Sequence, residues 1–495
     1  MTATQVLVIG AGPVGLTMAA ELARYGVAVR IVDKAAARTD KSKALVVWSR
    51  TLELLDRAGC AQAFLAAGHR ATGANMVAGA RRIAHVDFAD VASPYPFGLM
   101  IPQSETERLL EAHLQSLGVA VERGVEVTDL AAAAAAVTAT LRHPDGRQET
   151  LTVPWLAGCD GAHSIARRVL GFGFEGETDE SDWVLADIHL AGTPPSAHEI
   201  DLYWHEDGVL AFFPITPGRF RVIADTGSAH SAEHRADPTL AEVQALLDRR
   251  GPGGIQASDP VWLSAFRINE RKVRDYRGGR VFLAGDAAHI HSPAGGQGMN
   301  TGMQDAFNLA WKLALVCHGV GLADPLLGSY SAERSPVGDQ VLHDATRLTA
   351  LAVVHNPVLQ TVRNSVARLV LGLSSVRHGF ADKLAEITIG YPGSPLNGPY
   401  ARALQSPAPG ERVAPVAGET PVGAGGQPRF ALFAADAEGA GRIIARFPTL
   451  IDPVLRPPLG PDGIWLVRPD GYVAAAVLKD AWNDIAAYLA GLIAS

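Results

Sequence analysis

Gln5-Val6-Leu7-Val8-Ile9-Gly10-Ala11-Gly12-Pro13-Val14-Gly15 opens the chain, and a helical pattern then runs to Gly26, before Val27-Ala28-Val29-Arg30-Ile31-Val32-Asp33. The apolar run before Gly10 reads as a buried strand, and the glycines mark a tight turn into a helix. Strand, turn, helix and second strand make a βαβ unit whose glycine fingerprint lies where a dinucleotide would need it. Gly10 serves the turn, Gly12 lets backbone approach a phosphate, and Gly15 lets helix close on strand. Asp33 stands where a carboxylate can accept hydrogen bonds from adenosine ribose hydroxyls, with Lys34 beside it. A glycine turn without a ligand would explain the glycines but not Asp33. The fingerprint alone does not separate NAD from FAD.

A second segment far down the chain narrows the choice. Gly285-Asp286-Ala287-Ala288-His289 runs on through Ser292-Pro293-Ala294-Gly295-Gly296-Gln297-Gly298-Met299-Asn300. It follows the strand-like Arg280-Val281-Phe282-Leu283-Ala284 and precedes a helical pattern through Met303, Phe307, Trp311 and Leu315. Asp286 can accept a hydrogen bond from a polyol, and the glycines let backbone lie against a flat ring. The helix beginning near Gly298 aims its positive end at that place, which suits the anionic pyrimidine edge of a reduced isoalloxazine. Between the two segments, Gly158-Cys159-Asp160-Gly161-Ala162-His163-Ser164 with Arg167 and Arg168 fits either a ribose or pyrophosphate contact or a capped helix start.

Bulk properties agree with a folded, ligand-binding protein. At 495 residues the chain calls for two or three domains, and 48% hydrophobic with 19% charged residues suits packed cores. A net charge of -8 supplies no basic footprint, which argues against nucleic acid or an anionic membrane as partner. Cys60, Cys159 and Cys317 form no CxxC pair, and no signal peptide is visible, so a cytoplasmic setting is expected. The apolar stretch 309–327 is interrupted by Lys312, His318 and Asp324, whereas a span needs about 20 mostly apolar residues.

The pattern predicts an α/β fold in several units. Residues 1–173 and 267–389 form a discontinuous Rossmann-like unit, with a helical extension over 330–389. Residues 174–266 read as an inserted antiparallel sheet, with 72–100 as a candidate addition. The Pro/Gly-rich stretch 390–427 reads as a linker, and 428–495 as a small α/β unit.

Fingerprint plus acid, Asp-Gly and Gly-Asp motifs in this order resemble the group A flavoprotein monooxygenases, the single-component aromatic hydroxylases of the para-hydroxybenzoate and phenol hydroxylase type. The likeness spans roughly residues 4–340. Leu466-Val467-Arg468-Pro469-Asp470-Gly471-Tyr472-Val473-Ala474 is similar to the thioredoxin-like domain appended in phenol and aromatic-polyketide hydroxylases, here without a CxxC. The resemblance implies FAD as cofactor, with Asp33 at the adenosine ribose, Gln103 and Arg108 at the flavin or its ribityl-phosphate chain, and Val127 at adenine through its backbone. It places Asp160 at the pyrophosphate and nicotinamide approach, Asp286 at the ribityl chain, Met299 and Asn300 at the pyrimidine edge, and Pro293 on the ring face. Lys43 stands where the family often has arginine; a lysine keeps the charge but loses the fork, and Arg50 is a candidate to share that work. A homodimer is implied as well.

The implied chemistry is hydroxylation of a phenolic or other aromatic substrate. NADH or NADPH reduces FAD, O2 gives a flavin C4a-hydroperoxide, and its distal oxygen passes to an electron-rich carbon. Tyr203, His205 and Arg221 lie on the inserted sheet and are substrate candidates, although alternation leaves the face of Tyr203 and His205 open. Arg219 and Arg221 resemble the family's arginine-bearing strand, with solvated strand charges as the equal alternative. His289 and His291 lack a third ligand at metal-site spacing, so no metal is expected. Alternatives are Baeyer–Villiger oxygenation of a polycyclic ketone and a non-catalytic flavin-binding regulator. A flavin halogenase lacks support, since Trp262 is followed by Leu263-Ser264-Ala265.

Overall fold

The computed structural model describes residues 3–79, 81–228, 235–354 and 356–493. Val6–Ile9 lies inside a six-stranded sheet whose order is 277–278, 281–283, 155–158, 6–9, 29–33, 121–123. Neighbours pair in parallel except at the 277–278 edge. All four residues of Val6–Ile9 are buried, as a parallel strand covered on both faces requires. Helix Pro13–Arg24 makes the crossover. Its Pro13 occupies the first turn, where a missing N–H removes no intrahelical bond. That helix packs beside the long helix Gly298–Cys317, so the two glycine-bearing segments of the chain lie side by side.

The second sheet is larger than the pattern predicts. Its eight strands run in the order 289–290, 255–272, 175–192, 219–228, 208–216, 199–205, 73–78, 81–87. Residues 72–100 thus contribute two strands, and Glu199–His205 pairs in parallel with Gly73–Ala78. The expected end at 266 moves to Lys272, because Glu175 to Thr178 pairs with Asn269 to Lys272. His289–Ile290 then adds a short strand to the same edge, which ties the sheet directly to the Asp286 segment. Residues 229–234 of the expected sheet unit lie outside the described residues.

One face of this sheet is closed by helix Leu240–Arg250, whose start carries a capping box between Thr239 and Glu242. Val184, Leu210, Phe212 and Val222 pack there against Val243 and Leu247. The other face carries Trp183, Leu202 and Trp204 and meets helices Pro357–Val370 and Ser374–Leu384. No helix among the described residues is long and apolar enough to cross a membrane.

At the C-terminal end a three-stranded antiparallel sheet, Ala431–Phe433, Gly463–Val467 and Val473–Leu478, packs with helices Ala437–Arg446 and Trp482–Ala490. The segment expected as a linker is irregular but bound to this unit. Gly398 and Ala401 donate to the carbonyls of Ala474 and Ala476, and Val413 donates to that of Gly471. Backbone groups without a ladder of their own have found one at the sheet's edge.

The unit is fastened to the rest by charge. Arg468, fully buried, reaches both oxygens of Glu333 at 2.6 and 2.9 Å and both oxygens of Asp470 at 3.0 and 2.6 Å. Lys312 donates to Glu333 at 2.7 Å, and Trp311 donates to Asp470 at 3.1 Å. Buried charges persist only when paired, so each partner here is conditional on the others. Arg468→Met keeps much of the volume but removes the fork between two buried carboxylates. The expected outcome is a loss of about 3–5 kcal/mol in chemical denaturation; an unchanged midpoint would count against the clamp.

Candidate functional site

The fingerprint turn has little room for side chains at two positions and ample room at the third. A Cβ on Gly10, at φ +96°, would lie 2.4 Å from the Cys159 carbonyl oxygen, and one on Gly15 would lie 1.9 Å from that of Gly10. A Cβ on Gly12 would meet nothing within 4 Å. Gly12 therefore fronts open space at a helix start with no side-chain cap, where backbone N–H groups are free to meet an anion. Asp33 braces the turn: its carboxylate accepts from the N–H of Ala11 at 2.6 Å and of Ala35 at 2.8 Å. Lys34 is exposed beside it.

A loop at Ser42 to Ala44 forms the wall opposite. Gln103 accepts from the Ala44 N–H at 3.1 Å and donates through its own backbone N–H to Ser42 Oγ at 2.6 Å. Arg221 reaches across from the large sheet, donating to the carbonyls of Lys43 (2.8 Å) and Ser42 (2.5 Å) while held bidentately by Asp187. The Lys43 side chain is exposed, and its charge acts on Asp286.

Asp160 is engaged at one oxygen only. Oδ2 accepts from the N–H groups of Ile165 and Ala166, whereas buried Oδ1 has no partner among the described residues, and burial pushes the carboxyl's pKa up. Ser164 caps the same helix, and Arg167 donates to the Ala287 carbonyl at 3.0 Å, joining this turn to the Asp286 segment. Arg168 is exposed.

Asp286 has no protein hydrogen bond among the described residues and is open to solvent, although protein surrounds it. That enclosure raises its pKa against the pull of His289 and Lys43. Its segment is held from behind by Asp305, which accepts from the Gly285 N–H (3.0 Å), from His289 Nε2 (2.8 Å) and from Arg334 (2.6 Å). His291 stacks beside His289, with Nδ1 2.9 Å from the Ser292 carbonyl and Nε2 unpartnered. Burial pushes its pKa down to about 4, so the ring is neutral near pH 7.

Pro293 is exposed, and Gly295 and Gly296 take φ of +81° and +65°, conformations that glycine adopts without strain. Trp48 donates from its indole to the Gly295 carbonyl at 2.9 Å. A Cβ on Gly298 would lie 3.3 Å from the His291 ring, and Met299 is buried. The Asn300 side chain is fully engaged with Trp48, Val46 and Gly296 backbone, so only its N–H, in an uncapped first turn, remains for a ligand.

Several expected site residues lie elsewhere or do other work. Arg50 is buried against the C-terminal unit, donating to Glu53 and the Asp470 carbonyl under the Tyr472 ring, because those groups offer a buried cation its partners. Arg108 is exposed and paired with Glu105 on its own helix. Val127 is a buried strand residue opposite Leu141. Tyr203 packs edge-on against Phe212 on the face closed by helix Leu240–Arg250, with burial pushing its pKa up to about 12. His205 ends its strand beside Asp207, and Arg221 is occupied in fixing the 42–44 loop.

Sequence reasoning missed Trp48, Asp305, Arg334 and Glu386. A signal for part of this set was present: Thr301, Gln304, Asp305, Asn308 and Lys312 recur at helical spacing inside an apolar helix, the mark of a buried polar seam.

Likeness to known proteins places the chain in a family. A family model described as "FAD binding domain" matches residues 3–345. The 6-methylpretetramide 4-monooxygenase of Streptomyces rimosus is 38% identical over an alignment covering 99% of this chain and 93% of the relative. The chain belongs to the FAD-dependent aromatic monooxygenase family. Among solved structures, the anhydrotetracycline hydroxylase OxyS of Streptomyces rimosus matches with a TM-score of 0.80 at 29% identity, covering 99% and 98% of the two chains. CabE, an aromatic hydroxylase from angucycline biosynthesis, matches with a TM-score of 0.80 at 30% identity over 100% of both. As a family member the chain is an FAD-dependent monooxygenase, and NAD(P)H and O2 are typical of its relatives.

The residues present fit FAD. Two uncapped helix starts, open space in front of Gly12, the free oxygen of Asp160 and the unpartnered carboxylate of Asp286 supply complements to a diphosphate and a polyol chain. Gly12→Val fills space that no protein atom uses. Thermal unfolding of the apoprotein should stay close to wild type while FAD content after dialysis falls sharply; Asp286→Ala should behave likewise. Retained flavin in either variant would refute the placement.

Glu386 offers a pH test of the same helix. It is buried at φ +61°, bonded to Thr301 and Gln304, and burial pushes its pKa from an ordinary 4.5 to about 8. The folded state then holds an extra proton between about pH 4.5 and 8, so this group's stabilisation is full below 4.5 and is lost as pH rises through 8. Glu386→Gln should flatten the profile of denaturation midpoint against pH across that window and exceed wild type at pH 8, by up to a few kcal/mol.

Proposed function

We propose that this enzyme hydroxylates a multi-ring phenolic substrate of the aromatic-polyketide kind, using NADH or NADPH and O2. The observation that carries this reading is the pair of buried indole N–H groups of Trp183 and Trp204, both without partners among the described residues, in the apolar cluster between the large sheet and helix Pro357–Val370. Such donors usually find an acceptor, and an oxygenated fused-ring substrate would bring acceptors along with apolar area. The full-length likeness to a 6-methylpretetramide 4-monooxygenase supports the same substrate class.

Asp33 would face the adenosine ribose, Asp160 the pyrophosphate side, and Asp286 the ribityl chain. The N–H groups of the 298–300 turn would meet the pyrimidine edge, with Pro293 on the ring face. When bound, FAD supplies the redox chemistry, accepting hydride from reduced nicotinamide and activating O2 for insertion into an electron-rich ring. The chain's own part is to hold the ring against the Pro293 to Gly298 backbone, to keep neutral His291 behind it, and to roof the apolar face against water. We place the enzyme in the cytoplasm and as a homodimer.

A panel of multi-ring phenols with 18O2 tests the reading. Substrate-stimulated NAD(P)H oxidation should accompany a product that carries one labelled oxygen on an aromatic carbon. A labelled lactone would assign Baeyer–Villiger chemistry instead. Bound FAD with no stimulated oxidation across the panel would favour a flavin-binding regulator.

A further inference from the structure

Helix Pro357–Val370 packs one side on the large sheet and leaves an apolar side uncovered among the described residues. Inward lie Gln360, Arg363, Ala367 and Leu371: Gln360 donates to the Glu206 and Val354 carbonyls, and Arg363 sits 4.3 Å over the Trp204 ring. Outward, Val358, Leu359, Val362, Val366, Leu369 and Leu373 are between 52% and 73% exposed. Isolated exposed leucines need no explanation, but a continuous ridge along four helical turns does. An apolar face of this length on a helix expects cover.

We propose that this ridge is the surface on which a second copy of the chain docks, ridge against ridge across a two-fold axis. The inference rests on the dimer reading above and adds the surface. Exposed apolar area on the ridge comes to roughly 700 Å² per copy, close to the ~800 Å² per partner of a stable interface. Charge then fixes the orientation. Arg368 is exposed toward one end of the ridge, and exposed Glu206 belongs to the turn tethered by Gln360 toward the other. Neither has an ion-pair partner among the described residues. Antiparallel packing brings the Arg368 of each copy toward the Glu206 end of the other, whereas parallel packing sets like charges together. An anionic bilayer is the poorer occupant, because Glu206 flanks the ridge and the chain carries a net charge of -8. Since the inward side of the same helix roofs Trp204, the second copy would hold the roof down over the sheet.

Light scattering on the FAD-loaded full-length enzyme at micromolar concentration should give twice the 52.1 kDa chain mass. Val366→Glu combined with Leu369→Glu should give the single-chain mass with an unchanged circular dichroism spectrum and FAD content. Arg368→Glu and Glu206→Arg should each weaken the dimer by about tenfold, and the two together should restore most of it. A dimer that persists in the double glutamate variant overturns the surface while leaving the dimer reading intact. A wild-type enzyme of single-chain mass overturns both, and co-sedimentation of that form with phosphatidylglycerol vesicles would assign the ridge to lipid. Failure of the charge exchange to restore the dimer overturns the antiparallel arrangement.

Discussion

Everything at the site hangs on one buried carboxylate. Asp305 joins two other stretches of chain to its own helix: the 285–289 segment, through the Gly285 N–H and the His289 imidazole, and the guanidinium of Arg334. Burial works against its ionisation, but Arg334 and His289 overrule it and hold its pKa below the ordinary value. Arg334 in turn donates to the Thr301 carbonyl and to the Tyr391 hydroxyl, so the same node grips the helix start and the segment that leads into the C-terminal unit. A charge placed this deep is tolerable only in this geometry, and the geometry keeps Asp286 projecting into open space.

From that node a polar seam descends the helix Gly298–Cys317. Thr301 and Gln304 meet Glu386, Asn308 and Lys312 meet Glu333, and Trp311 meets Asp470. One rigid element therefore carries the uncapped turn beside Pro293 at its first residue and the anchor of the C-terminal unit nearly four turns later. This gives a physical role to the C-terminal unit, which carries no CxxC. It contributes Arg468 and Asp470 to the seam and thereby fixes the helix that fixes the site.

Much of this was readable in the chain. The fingerprint, Asp286 and the glycines around Pro293 are local features whose chemistry follows from residue type and spacing; the structure leaves Gly12 before open space and the Asp286 carboxylate without a protein partner among the described residues. What alternation could not supply was the face of Tyr203, because period two names two faces without saying which one a helix will cover. The register also shifts beside Pro214, which no periodicity reveals. Arg50 and Arg108 misled for a different reason: arginine near a cofactor motif suggests an anion, yet Glu53 and Glu105 lay within one helical turn and claimed them. The stretch 390–427 has the composition of a linker, and only the free edge of a sheet formed later in the chain explains why it is bound.

The order of strands in the first sheet also bears on how the protein is born. Val6–Ile9 can join Val29–Asp33 and Trp155–Gly158, with Val121–Arg123 on the far side of Val29–Asp33, once residue 158 has left the ribosome, but Val281–Leu283 and the Asp286 turn emerge more than a hundred residues later. At ordinary rates of synthesis that interval is on the order of ten seconds. During it the diphosphate end of the cleft can exist without the polyol end, and the face that will meet helix Gly298–Cys317 stays bare. The growing chain keeps that apolar face exposed until helix Gly298–Cys317 arrives, and both ends of the cleft stand together only after the Asp286 turn has been made.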